Sequence, residues 1–182
     1  MSIQITYKSN IFKKTSNNLV LFTDEKFNVR PLTNYISNAE LSYIRDLLKT
    51  SDIKKNLFVF ELNSKKKIIL ISIKKDLKSF DIENLGAELY GRLKDKKNSS
   101  YVINIDSIND KNKNFIGYLL HGMKLKSYEF NKYKTKKETK KIDISIFGKR
   151  NQLSIKDKLK FKALEEGIFF ARDLVSEPGN VL

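Results

Sequence analysis

The side chains able to do chemistry are few and scattered. The single histidine, His121, lies among Leu119, Leu120 and Met123, without a cysteine or second histidine to share a metal. That context predicts a satisfied or half-exposed helix histidine. No serine is flanked by glycines as in a nucleophile elbow, and no histidine is placed to serve one as a base. The seven glycines are dispersed, so no phosphate-cradling loop is present. A dinuclear metal site needs several converging carboxylates. The neighbouring pairs Asp81 with Glu83 and Glu165 with Glu166 read instead as solvated helix positions. No residue of the chain is assigned a catalytic, metal-binding or cofactor-binding role.

Charge offers a second chemistry. The formal net charge is +15, and its densest run is the stretch Lys132, Lys134, Lys136, Lys137, Lys140 and Lys141, with Tyr133 interleaved. Such a loop could track a nucleic-acid backbone. If six phosphates were neutralised, affinity would fall with salt at a log–log slope of about −5. Against this, the arginines are only Arg30, Arg45, Arg92, Arg150 and Arg172. A surface built for phosphate forks favours arginine. Abundant Lys, Asn and Ile also fit an AT-rich coding bias, and a charge run is commonly a solvated surface.

The elements that would carry these residues follow from periodicity. Ile3, Ile5 and Tyr7 alternate as in a half-buried strand, and residues 19–22 form a continuous apolar run, as in a strand covered on both faces. These two strands are expected to form a first hairpin. Pro31 argues against a helix over 27–35. Ser37 with Glu40 makes a capping box for a helix over about 38–49. Two strands at 57–60 and 68–71 flank the hairpin turn 63–66. A helix with Ile82, Leu85, Leu89 and Leu93 follows, in which Gly86 is expected to permit close packing on a sheet. Then come a strand at 101–105, a helix from Phe115 to about Leu125, a basic loop, and a strand at 142–147. A last helix starts at Ser154, capped with Asp157. Ile155, Leu159, Leu164, Ile168, Ala171 and Val175 recur along it at helical spacing, and Pro178-Gly179 stops it. The alternation predicts an α/β fold: a three-layer sandwich with a mixed central sheet, helices on both faces and a projecting C-terminal connector helix. With 40% hydrophobic residues, no cysteine and no long apolar run or leader-like start, a soluble, cytoplasmic chain is expected, without a membrane partner.

Three stretches carry a resemblance. Residues 171–182 read Ala-Arg-Asp-Leu-Val-Ser-Glu-Pro-Gly-Asn-Val-Leu. Residues 117–137 hold Gly-Tyr-Leu-Leu-His-Gly followed by Tyr128, Phe130, Tyr133 and Lys134. Residues 84–93 contain Leu-Gly-Ala. In this order they resemble the leucine aminopeptidase (cytosol aminopeptidase) family, in its N-terminal domain and the segment joining it to the next. The residues carrying the likeness are Tyr128, Phe130, Tyr133, Lys134, Arg172, Asp173, Pro178 and Asn180; Ser176 departs from the family's usual Asn.

The resemblance implies a macrodomain-like N-terminal domain over 1–150 and a connector helix over 151–182. It places two divalent metals, manganese or zinc, and the catalytic residues in a C-terminal domain after the position of Leu182. It further implies assembly into a homo-hexamer and, for some members, DNA binding. On this reading the chain is inactive by itself and structural in role, with the catalytic domain as its partner. A nucleic-acid-binding module using the 132–141 loop is the alternative.

Overall fold

A computed structural model describes residues 2–8, 18–52, 55–93, 99–109, 114–135 and 141–178. Six strands form one sheet: β1 (Ser2–Lys8), β2 (Asn18–Asp24), β3 (Leu57–Glu61), β4 (Lys67–Ile73), β5 (Ser99–Asn104) and β6 (Lys141–Phe147). Their spatial order is β1-β6-β5-β2-β4-β3. All neighbours are parallel except β3, which runs antiparallel to β4 across the expected hairpin.

The expected first hairpin does not exist. β1 pairs with β6 instead, Ile3 opposite Ile142 and Ile5 opposite Ile144. The reason lies in the residues. β2 is buried from Leu19 to Thr23, as a strand covered on both faces must be, and it takes a central position between β5 and β4. β1 has one apolar side only, which suits an edge.

The helices are α1 (Asn38–Thr50), α2 (Ser79–Leu93), α3 (Phe115–Ser127) and α4 (Ile155–Ser176). On one face α1 and a short 3-10 helix at Arg30–Asn34 cover Leu19, Leu21, Ile68 and Leu70. Pro31 sits in the first turn of that 3-10 helix, where a missing N–H costs nothing; it therefore did not forbid a helical turn. Beyond α1, the same face over β5, β6 and β1 presents exposed Ser100, Asp143, Gln4 and Thr6. On the other face α2 and α3 bury Val20, Phe22, Ile69, Ile71, Ile103, Ile144 and Ile146.

α2 and α3 touch backbone to backbone. A Cβ added at Gly86 would stand 2.0 Å from the Leu119 carbonyl oxygen, and one at Gly122 would stand 1.9 Å from that of Glu83. Gly86 thus permits close packing on a helix rather than on the sheet. This places the α3 backbone, and with it His121 and Lys124, under α4.

Candidate functional site

α4 begins at Ser154, whose Oγ accepts the Asp157 N–H at 3.1 Å. The face it turns inward is not its most apolar one. Phe161, Glu165 and Arg172 point to the domain, while Ile155, Leu159, Leu164 and Val175 stand exposed. Phe161 lies over Gly117 of α3, where a Cβ would come within 2.2 Å of the ring. It meets Tyr118 edge-on, at 5.1 Å and 88°.

One turn on, Glu165 is buried. It accepts a hydrogen bond from Lys124 Nζ at 2.6 Å, and its other oxygen is 3.7 Å from His121 Nδ1. His121 Nε2 lies 4.0 Å from Glu83 Oε1. Two expectations change here. Glu165 is not solvated, although Glu166 is exposed. His121 is buried, and no hydrogen-bond partner among the described residues reaches Nδ1. A buried carboxylate needs a cation, and Lys124 supplies it.

The C-terminal half of α4 is held by a clamp. Arg172 Nη1 donates to the Leu125 carbonyl at 2.7 Å, in the last turn of α3, where carbonyls lack helical partners. Its guanidinium also sits 5.4 Å from the Tyr128 ring centre. The Tyr128 hydroxyl donates to Asp173 Oδ1 at 2.7 Å, and its ring lies 5.4 Å from that of Phe169. Lys132 Nζ and the Tyr133 hydroxyl both donate to Glu177, which caps the helix with its own N–H bonded to the Asp173 and Leu174 carbonyls. Phe130 packs edge-on against Tyr133.

These pairs shift the titrations accordingly. The bond from Lys132, then that from Tyr133, holds the Glu177 carboxyl below its ordinary range. The bond to Glu177 raises both Lys132 and Tyr133. Tyr128 is raised by loss of water around its hydroxyl and then by Asp173.

The structure thus brings Tyr128, Phe130, Tyr133, Arg172 and Asp173 into one cluster. Lys134 is exposed on the same loop, Pro178 follows the helix cap, and Asn180 lies outside the described residues. Of the lysine run, Lys132 is ion-paired to Glu177 and Lys141 opens β6. Lys136, Lys137 and Lys140 lie outside the described residues. Sequence reasoning missed Phe161, Glu165, Phe169 and Glu177. Phe161, Glu165 and Arg172 share a helical stripe with half-buried Ile168; of its residues only Ile168 belongs to the aliphatic series that periodicity picks out.

The cluster contains no nucleophile with a base. Among the described residues no three His, Asp or Glu side chains group as metal ligands. An open cleft at the carboxyl end of β4, lined by Ser72, Lys74, Asp76, Asp81, Asn84 and Glu88, gathers charges of both signs without such a pair. What the clamp does is fix the direction in which α4 leaves the domain.

The profile of the family described as "Cytosol aminopeptidase family, N-terminal domain" matches residues 20–137. The probable cytosol aminopeptidase of Wolbachia pipientis wMel is 33% identical over 135 residues, covering 69% of this chain and 25% of that protein. That of Aquifex aeolicus is 34% identical over 98 residues, covering 53% of this chain and 19% of that protein. The chain therefore spans about a quarter or less of the length of the curated relatives it matches. Among solved structures, a mutant of tomato leucine aminopeptidase superposes with a TM-score of 0.70 at 18% identity, over 100% of this chain and 39% of that one. The bottromycin maturation enzyme BotP, in complex with Mn, gives 0.59 at 9% identity, over 89% of this chain and 32% of that one. These likenesses are of fold.

Proposed function

Because the chain belongs to the cytosol aminopeptidase family, as that family's N-terminal domain, we propose that it is a non-catalytic support unit whose task is to hold and aim α4. The carrying observation is the meeting of the two signature stretches. Residues 128–133 and 172–177 are about 45 positions apart in sequence, and their polar atoms are bonded to each other. Residues that touch each other and cap a helix are positioned to make a rigid strut rather than to meet a substrate.

The parent reaction on this reading is metal-assisted attack of water on the first peptide bond of a peptide, with the carbonyl polarised by divalent metal. We assign the two metals, manganese or zinc, to the portion of the longer relatives that lies outside the matched quarter. The donors described here do not converge, so no step of that reaction is derived through this chain's residues. We also place the protein in the cytosol, as its relatives are named, and take the catalytic portion and a homo-hexameric assembly as its partners. No described helix is long and apolar enough to cross a membrane. The test is hydrolysis of leucine p-nitroanilide by the purified chain with added Mn²⁺ or Zn²⁺. No turnover above the metal blank is expected. Metal-dependent cleavage that a chelator abolishes would overturn the assignment.

A further inference from the structure

One titratable side chain is buried where three helices meet. The His121 side chain of α3 is only 5% exposed. Its Nε2 faces Glu83 of α2 at 4.0 Å and its Nδ1 faces Glu165 of α4 at 3.7 Å. Neither distance is a hydrogen bond, and Nδ1 has no partner among the described residues. A neutral imidazole carries one N–H and one lone pair. Whichever nitrogen holds the proton, the other turns its lone pair toward a carboxylate. Only the imidazolium offers an N–H to each.

The surrounding charges act in the same direction. Among the described residues, Glu83 and Glu165 are countered at the ring by Lys124, which bonds the far oxygen of Glu165 at 2.6 Å. One negative charge is left over, and a proton on His121 cancels it. Burial by itself disfavours a charged ring, and carboxylates close by favour it. Here one stands at each nitrogen. Beyond Glu165 lies Tyr7 of β1, raised by burial and then by that carboxylate, with Lys158 of α4 over its ring at 3.8 Å. Tyr7 therefore stays neutral between pH 5 and 8, the range in which histidine changes charge. Glu177, held below its ordinary value, stays ionised there.

α4 is the element able to respond. α2 and α3 are locked backbone to backbone, at Gly122 against Glu83 and at Gly86 against Leu119. α4 lies on α3 through the side chains of Phe161 and Glu165. We propose that His121 is a pH-sensitive latch: its protonation draws Glu165, and with it the middle of α4, onto α2 and α3, and its deprotonation loosens that contact. Closing either gap to a charge-assisted bond takes a movement of about 1 Å. The latch acts on the helix that the support unit aims. It does not depend on whether the chain cleaves a peptide, which the leucine p-nitroanilide assay decides separately.

His121 is the single histidine, so one ring signal in the NMR spectrum of the intact chain reports its charge from about pH 8 to about pH 5. Hydrogen exchange over residues 158–168, expressed as protection so that the intrinsic effect of pH on exchange is removed, reports the docking of α4. Protection should rise about tenfold or more across that range, as for one charge-assisted hydrogen bond gained, with the midpoint of the ring signal. His121→Gln and Glu165→Gln should each flatten the rise to within about twofold, with circular dichroism showing that both fold. If either variant fails to fold, the two titrations of the parent chain decide. A ring that changes charge without a change in α4 protection overturns the latch, as does a ring whose charge is constant over the range. Protection that falls as the ring is charged shows that burial outweighs the two carboxylates and overturns it too. A rise that persists in His121→Gln belongs to another group and overturns the assignment to His121.

Discussion

Two helix glycines in this chain should answer the same substitution with opposite signs. At Gly167 an added methyl meets nothing within 4 Å. Only the backbone then matters, and alanine in a helix interior is better than glycine by about 0.8–1 kcal/mol. Gly167→Ala should raise stability by about that amount. At Gly122 the new Cβ would sit 1.9 Å from the Glu83 carbonyl oxygen and 2.6 Å from its carbon. These are backbone atoms of α2 and cannot rotate away. Ordinary contact begins at 3.4 Å, so α2 and α3 must separate by about 1.5 Å (3.4 less 1.9). Overpacking of this kind costs about 1–3 kcal/mol or more. An overlap of this depth between two backbones belongs at the upper end of that range, so after the propensity gain of about 1 kcal/mol Gly122→Ala should be destabilising by about 2 kcal/mol net. Urea unfolding followed by circular dichroism reads both changes. In a domain of this size the corresponding melting shifts are about 2–4 °C per kcal/mol. Loss of stability at 167, or a neutral change at 122, would refute the helix contacts.

Other outcomes follow from the same contacts. Phe161→Ala removes the ring that α4 buries over Gly117 and should cost about 3 kcal/mol, read by the same unfolding curves. The end of α4 should loosen in acid. Glu177 is held below the ordinary carboxyl value of 4.5, so its contribution is complete above that pH and is lost as pH falls through the lower folded value. Amide shifts of residues 172–177 followed by NMR should move in that acidic window, while those of the buried, carboxylate-free β4 hold. Lys132 and Tyr133, both raised, lose their share only when pH climbs through their folded values above 10.

Much of this fold is written locally. Ser37 and Glu40 exchange both bonds of a capping box, as their spacing requires. β2 and β4 read as continuous apolar runs because both faces of each are covered. β1 could not be placed from its neighbours. Its partner is some 139 residues away, and one alternating strand pairs as well in pattern with β2 as with β6. Nor could the inner face of α4 be chosen by hydrophobicity. Ile155, Leu159, Leu164 and Val175 face outward, and the helix is held by Phe161, a Glu165–Lys124 pair and an arginine on a carbonyl, with Ile168 the one aliphatic position of the expected series on that stripe. Such contacts depend on where α3 ends in space. The aromatic positions of the clamp were legible as anchors, but Glu177, the group they converge on, carried no sign of it.

The account rests most on the clamp that fixes α4. Hydrogen exchange of the amides at 171–176, compared between the parent chain and Tyr128→Phe combined with Glu177→Gln, tests it directly. The clamp predicts protection there in the parent chain and at least a tenfold faster exchange in the double variant, on the order of one hydrogen bond lost, with α2 and α3 unchanged. Equal exchange in the two proteins would show that α4 holds its direction without the signature residues, and would contradict the account.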